Sequence, residues 1–178
     1  MARWIILLRG VNVSGKNKVP MAEWKAGLAA LGHTNIVTLQ NSGNAVLDAE
    51  KGREALTGEI AGLMRERFEL EIPVYAIEQE ALRKLLTRAP AWWGSEDKTI
   101  YDNLIFLLPP HTIAELKEAL GAPHPELEWV HPCGDAVFWS FDRQKYQKTN
   151  WWPRTAQEPA REWITIRTVG TVRKLAVL

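Results

Sequence analysis

Two short stretches concentrate the groups that hold ligands. The first is Arg9-Gly10-Val11-Asn12-Val13-Ser14-Gly15-Lys16-Asn17-Lys18-Val19-Pro20-Met21. The second is Gln40-Asn41-Ser42-Gly43-Asn44. Cationic and amide donors, with glycines that let backbone approach closely, suit an anion such as phosphate or carboxylate. Pro20 opens a helical pattern, and Val19 has no side-chain oxygen to cap it. Its first-turn N–H groups are then open to a ligand. Glu23 in the same turn already complements the helix dipole. The glycine spacing fits neither a Walker A loop nor a dinucleotide fingerprint, so no cofactor is expected. The candidate ligand-binding residues are Arg9, Asn12, Lys16, Asn17, Lys18, Gln40, Ser42, Gly43 and Asn44. The alternative is a long connection held by its own Asn and Ser hydrogen bonds.

Other constellations signal less. His111, His131, Cys133 and Asp135 are zinc-type ligands, but their spacing matches no standard zinc pattern, and no metal is expected. No Ser-His-Asp or Cys-His arrangement assigns a catalytic residue, and nothing marks Cys133 as an activated thiolate. The carboxylates Glu66 and Glu69, and Glu115 and Glu118, sit at helical spacing among Lys and Arg and read as solvated faces. Of nine tryptophans, Trp4, Trp24 and Trp139 fall at core positions. Trp92-Trp93 and Trp151-Trp152 fall in irregular stretches, the second pair near Lys145, Lys148 and Arg154. Exposed, they would stack on single-stranded nucleic acid. The favoured reading has them closing the cleft between two halves of the chain.

The elements that must position these residues follow from periodicity. Trp4 to Leu8 is a short apolar run, the mark of a central strand buried on both faces. Met21, Trp24, Leu28 and Leu31 recur at helical spacing, and Gly32 ends the pattern. Strands follow at 35–39 and 45–47 around the Asn41–Asn44 turn. A helix over 51–68, a strand at 73–77 and a short helix at 80–87 complete the first half. Residues 88–99, with Pro90, Trp92, Trp93 and Gly94, read as a linker. The order then repeats. A strand at 100–108 precedes a helix capped by the Thr112/Glu115 box. Strands at 127–131 and 136–141 flank the turn Pro132–Asp135. Residues 142–153 resist assignment, 155–163 read as a helix, and Ile164–Arg167 alternates as a strand. Thr168 then caps a last helix.

This order predicts an α+β protein of two ferredoxin-like βαββαβ halves, residues 1–87 and 100–178, with antiparallel or mixed sheets and helices on one face. The repeat is one of order rather than residue identity. A single β/α fold of mixed topology is the plain alternative. In a ferredoxin-like half the ends of strands 1 and 2 and the start of strand 3 share one edge. That places the loop after Arg9 beside the Gln40–Asn44 turn.

Composition bounds the partners. The 178 residues are 46% hydrophobic and 24% charged, which is globular rather than disordered. The net charge of +1, from 22 basic and 21 acidic residues, argues against bulk capture of nucleic acid. The expected partner is a small anionic ligand. Nucleic acid is the less favoured alternative, and a protein-interaction scaffold is the third. No apolar run approaches the roughly 20 residues that span a bilayer. One cysteine precludes an internal disulfide, as in a reducing compartment. With no signal-peptide core at Ile5–Leu8, a cytoplasmic location is expected. Oligomeric state is not legible.

The runs Leu7–Val13, Gly15–Lys18, Val19–Met21 and Gln40–Asn44 resemble a bacterial family catalogued as domain of unknown function sixteen ninety-seven. The resemblance is close in the first half and looser beyond the linker. Near the C-terminus the family pattern reads T-x-R-N-W-N-T-V-x-K-L. Thr165, Arg167, Thr171, Val172, Lys174 and Leu175 fit it, while Thr168, Val169 and Gly170 depart from it. The resemblance implies a duplicated ferredoxin-like fold and no particular activity.

Overall fold

The apolar run at the N-terminus forms strand β1 (Ala2–Leu8), with Trp4 to Leu8 buried on both faces. A computed structural model describes residues 1–178, which divide into two units. The first comprises Met1–Lys84 and Lys174–Leu178, the second Leu85–Arg173.

In the first unit β1 leads to α1 (Met21–Ala30), β2 (Thr34–Leu39), β3 (Asn44–Ala49), α2 (Arg53–Phe68), β4 (Val74–Glu78) and α3 (Gln79–Leu86), the last crossing the unit boundary. The sheet order is β2-β3-β1-β4. β1 and β2 both pair antiparallel with β3, and β4 pairs antiparallel with β1. Alternate residues of β1, namely Trp4, Ile6 and Leu8, meet Trp24 and Leu28 of α1 and Leu56, Ile60 and Met64 of α2. Each such buried side chain contributes about 1.5–3 kcal/mol of transfer free energy. α1 begins one residue later than expected, because Pro20 is its N-cap rather than its first turn. α2 begins at Arg53, since Gly52 takes the extended cap conformation. It closes at Glu69, which adopts a left-handed conformation while Leu70 N–H reaches Met64 O.

The second unit repeats the plan. β5 (Ile100–Leu107), α4 (Ile113–Leu120), β6 (Glu128–Cys133), β7 (Ala136–Asp142), α5 (Trp151–Thr155), α6 (Ala160–Trp163), β8 (Ile164–Thr168) and α7 (Val169–Val177) follow in order, the last crossing the unit boundary after Arg173. The sheet runs β6-β7-β5-β8 with antiparallel neighbours throughout. The protein is therefore an α+β fold of two similar ferredoxin-like halves. The Thr112/Glu115 capping box is present at α4.

Three stretches differ from expectation. Of the helix expected over 155–163 only the four-residue α6 forms, after turn backbone at 156–159; Pro159, with no N–H to donate, serves as its N-cap. β6 extends to Cys133, so the turn shortens to Gly134-Asp135. Residues 142–153 hold a 3-10 turn at Tyr146–Lys148 and the start of α5. A buried carboxylate fixes them: Glu128 accepts the backbone N–H groups of His124, Asn150 and Trp151, and the indole N–H of Trp139. No helix is long and apolar enough to cross a membrane.

Candidate functional site

The end of β1, the end of β2 and the start of β3 meet at Asn44, which stands opposite both Leu7 and Leu39. Leu8 N–H donates to Gly43 O at 2.8 Å, and Arg9 N–H donates to Pro73 O at 3.2 Å. The chain then leaves the sheet and folds on itself. Ser14 and Gly15 both take positive φ, 50° and 75°, as the two central residues of a type I′ hairpin turn do. Lys16 N–H closes that turn on Val13 O at 2.9 Å, and Asn12 N–H reaches Asn17 O at 3.0 Å. The sequence signal for this miniature hairpin is the Ser-Gly dipeptide, which marks a turn without fixing its type.

Asn12 joins the hairpin to both neighbours. Its Oδ1 accepts Val19 N–H at 2.8 Å, and its Nδ2 donates to Val19 O at 2.9 Å and to Asn41 O at 2.6 Å. Asn17 Nδ2 donates to Gly10 O at 2.9 Å. The two stretches singled out in the sequence are thus hydrogen-bonded to each other. Asn41 supplies the acceptor, a role sequence reasoning missed, since a backbone carbonyl carries no residue signature.

Gly43 makes the junction sterically possible. Its φ is +79°, and a Cβ there would lie 2.6 Å from Leu8 Cβ and 2.8 Å from Val11 Cγ2. Asn44 is fully buried, with Nδ2 donating to Leu39 O at 3.0 Å and to Ser42 Oγ at 2.9 Å. Five of the eight residues from Gly10 to Asn17 have positive φ: Gly10, Asn12, Ser14, Gly15 and Asn17. For a non-glycine residue this costs on the order of 1–3 kcal/mol and persists only when surroundings over-determine it. Here the Asn12 and Asn17 hydrogen bonds do so.

The candidate residues therefore separate by environment. The printed bonds of Asn12, Asn17 and Asn44 brace the backbone. Gln40 and Ser42 lie exposed in the turn, and Arg9 is half-buried where β1 ends. Lys16 and Lys18 are exposed and have no ion-pair partner. α1 starts immediately after them, without a side-chain cap. The Val19 N–H, just ahead of the helix, is taken by Asn12.

The remaining candidates are placed as follows. Trp93 is buried in the second unit, edge-on to Phe138 at 5.0 Å, and its indole N–H donates to Asn103 O at 2.8 Å. Trp151 is buried, and its indole N–H donates to Gly121 O at 2.9 Å. Both sit inside the second unit, so one member of each pair is withdrawn from stacking on a ligand. Trp152 is exposed but meets Phe141 and Tyr146 edge-on. His111 stacks on Trp163 at 4.4 Å, and Cys133 is buried. No three His, Cys, Asp or Glu side chains converge as a metal centre.

Carboxyl pKa values are shifted away from this site. Hydrogen bonds from Asn35 and then Arg3 hold Asp48 below the usual carboxylate range. Thr99 does the same for Asp97, and the Thr112 backbone and hydroxyl for Glu115.

Fold and loop together define a two-half ferredoxin-like protein with a braced basic loop at one sheet edge. The family described as "Protein of unknown function (DUF1697)" matches residues 1–138, and the chain belongs to it. A solved structure, the conserved bacterial protein SP0830 from Streptococcus pneumoniae, is similar with a TM-score of 0.86 and 24% identity, over 99% of this chain and 97% of that one. At that identity the likeness shows the fold. An unknown protein from Galdieria sulphuraria aligns over 94% of this chain and 96% of that one, with 10% identity and a TM-score of 0.26, which carries no argument. No curated protein matches the chain.

Proposed function

We infer that the N-terminal loop binds a small anionic ligand bearing a phosphate or carboxylate. One observation carries this reading: Lys16 and Lys18 are exposed, lack ion-pair partners, and ride on a hairpin braced by Asn12 ahead of an uncapped helix start. A loop held in several left-handed conformations gives up little further entropy on binding, which favours affinity. Arg9 adds charge, and Ser42 and Gln40 add polar groups from the adjoining turn. Asn12, Asn17, Gly43 and Asn44 support the site by fixing its backbone. A cytoplasmic location accompanies the reading, in keeping with a single buried cysteine. The shared strand order of the two halves supports an origin by internal duplication.

The test is a thermal-shift screen with inorganic phosphate, pyrophosphate, nucleotides and citrate, each against potassium chloride at matched ionic strength. Wild-type protein gains stability with at least one of them, and the Lys16→Ala/Lys18→Ala double variant loses that gain while its own melting temperature stays close to wild type. An unresponsive wild type, or an equal shift in the double variant, would remove the proposal.

A further inference from the structure

The second unit holds a cleft of about 300 Å³ at the end of its sheet. That is at the small end of ligand sites and has room for about ten waters. Lys98, Tyr101, Asp102, Arg143 and the first turn of α7 at Val169 and Gly170 contribute to its wall. Asp102 stands across from Ser140 on the neighbouring strand, and the Ser140 hydroxyl donates to its Oδ1. The residue is only 5% exposed. Its Oδ2 nevertheless has no hydrogen-bond partner and is not sealed from solvent. A carboxylate oxygen so deeply set is costly unless something donates to it.

The opposite charges of the cleft are also unused. Arg143 is held in place by its Nε–H bond to Lys98 O at 3.2 Å and by the Tyr101 ring, 4.6 Å below its guanidinium carbon. Neither Arg143 nor Lys98 has a carboxylate partner. The first turn of α7, whose Thr171 N–H donates to Thr168 Oγ1 at 3.5 Å, adds partial positive charge to the same wall. The wall also carries the exposed carboxylates Glu96 and Asp97, the latter accepting the Thr99 N–H and hydroxyl. The deeply set Asp102 oxygen and the unpaired cations thus share one small cleft with no ion pair between them.

The geometry points to a binding site for a small zwitterion of free amino-acid type, with its ammonium on Asp102 and its carboxylate on Arg143 and Lys98. Such a ligand supplies the missing donor to Oδ2 and the missing anion to the guanidinium at once. A simple anion would meet Asp102 unfavourably, and a simple amine would leave the cations unpaired. The site is separate from the N-terminal loop and uses none of its residues.

The experiment is calorimetric titration of the full chain with each of the twenty common amino acids at millimolar concentration, supported by thermal shift. At least one binds, and its N-acetyl and methyl-ester derivatives do not. Asp102→Asn keeps an acceptor for Ser140 but turns an amide on the ligand ammonium. Arg143→Ala removes an exposed side chain at little cost to folding. Each weakens binding at least tenfold, while Lys16→Ala/Lys18→Ala leaves it unchanged, which separates this site from the loop. Absence of binding by all twenty, or an unaltered Kd in Arg143→Ala, would overturn the assignment.

Discussion

Replacing Gly43 by alanine tests whether the loop and the turn form one packed unit. Two costs apply. Gly43 has φ +79°, and a left-handed conformation costs an L-residue with a Cβ roughly 1–2 kcal/mol. The new methyl would also lie 2.6 Å from Leu8 Cβ and 2.8 Å from Val11 Cγ2. Both neighbours are buried, so relief requires backbone movement, and overpacking of this kind costs typically about 1–3 kcal/mol. The expected loss is therefore about 2–5 kcal/mol. Gly15→Ala is the matched control, with φ +75° and nothing within 4 Å of the added Cβ. It carries only the conformational cost of roughly 1–2 kcal/mol. Urea unfolding of the two variants, read at unchanged m-value, isolates the steric part. Equal destabilisation would refute the close packing of Gly43 on Leu8 and Val11, and with it the account of how the loop is seated.

Two further perturbations follow from the structure. Glu128→Gln places an amide among four N–H donors that the carboxylate now accepts; with charge-assisted bonds contributing about 1.5–3 kcal/mol each, unfolding stability should fall by several kcal/mol, and a loss below about 1 kcal/mol in urea titration would contradict the hub. Asp48 bonds to Asn35 at 2.6 Å and to Arg3 at 3.0 Å, and these contacts depress its folded pKa below 3.8. Its contribution is then present above the unfolded pKa and is lost as pH falls through the folded one. Wild-type protein should lose more stability than Asp48→Asn as pH drops below about 5, whereas superimposable acid limbs would show that the pair contributes nothing.

Much of the fold was legible because local patterns and tertiary packing agree. Trp4 to Leu8 is apolar at every position, and a run too short for a helix fits a strand buried on both faces. The Met21–Leu28 spacing and the Thr112/Glu115 box are local features whose physics acts within a turn or two. The opposite held where one distant group decides. Residues 142–153 carry no clear period, because their conformation is fixed by Glu128, which donates nothing to the pattern until the chain has folded around it. The pairs Trp92-Trp93 and Trp151-Trp152 looked alike in sequence, yet each splits into one buried ring and one more accessible ring. Neighbouring residues point in different directions, and composition does not say which is inward.

For the candidate site, the sequence alone determined its ingredients and its address. The residue types in Arg9–Met21 and Gln40–Asn44 define a basic, amide-rich, glycine-bearing pair of segments. The βαββαβ order dictates that the two share a sheet edge, since strands 1 and 2 must run alike with strand 3 between them. Only the tertiary structure decided the division of labour. It turned Asn12 inward to bind Val19 and Asn41, buried Asn44 against the strand ends, and left Lys16 and Lys18 outward without partners. The physical reason is that an asparagine can either brace a backbone or greet a ligand. Which it does depends on carbonyls brought near by folding, and these are invisible in the order of residues. The cleft beside Asp102 shows the same limit, for its carboxylate, arginine and helix start come from three separate segments that only the folded sheet assembles.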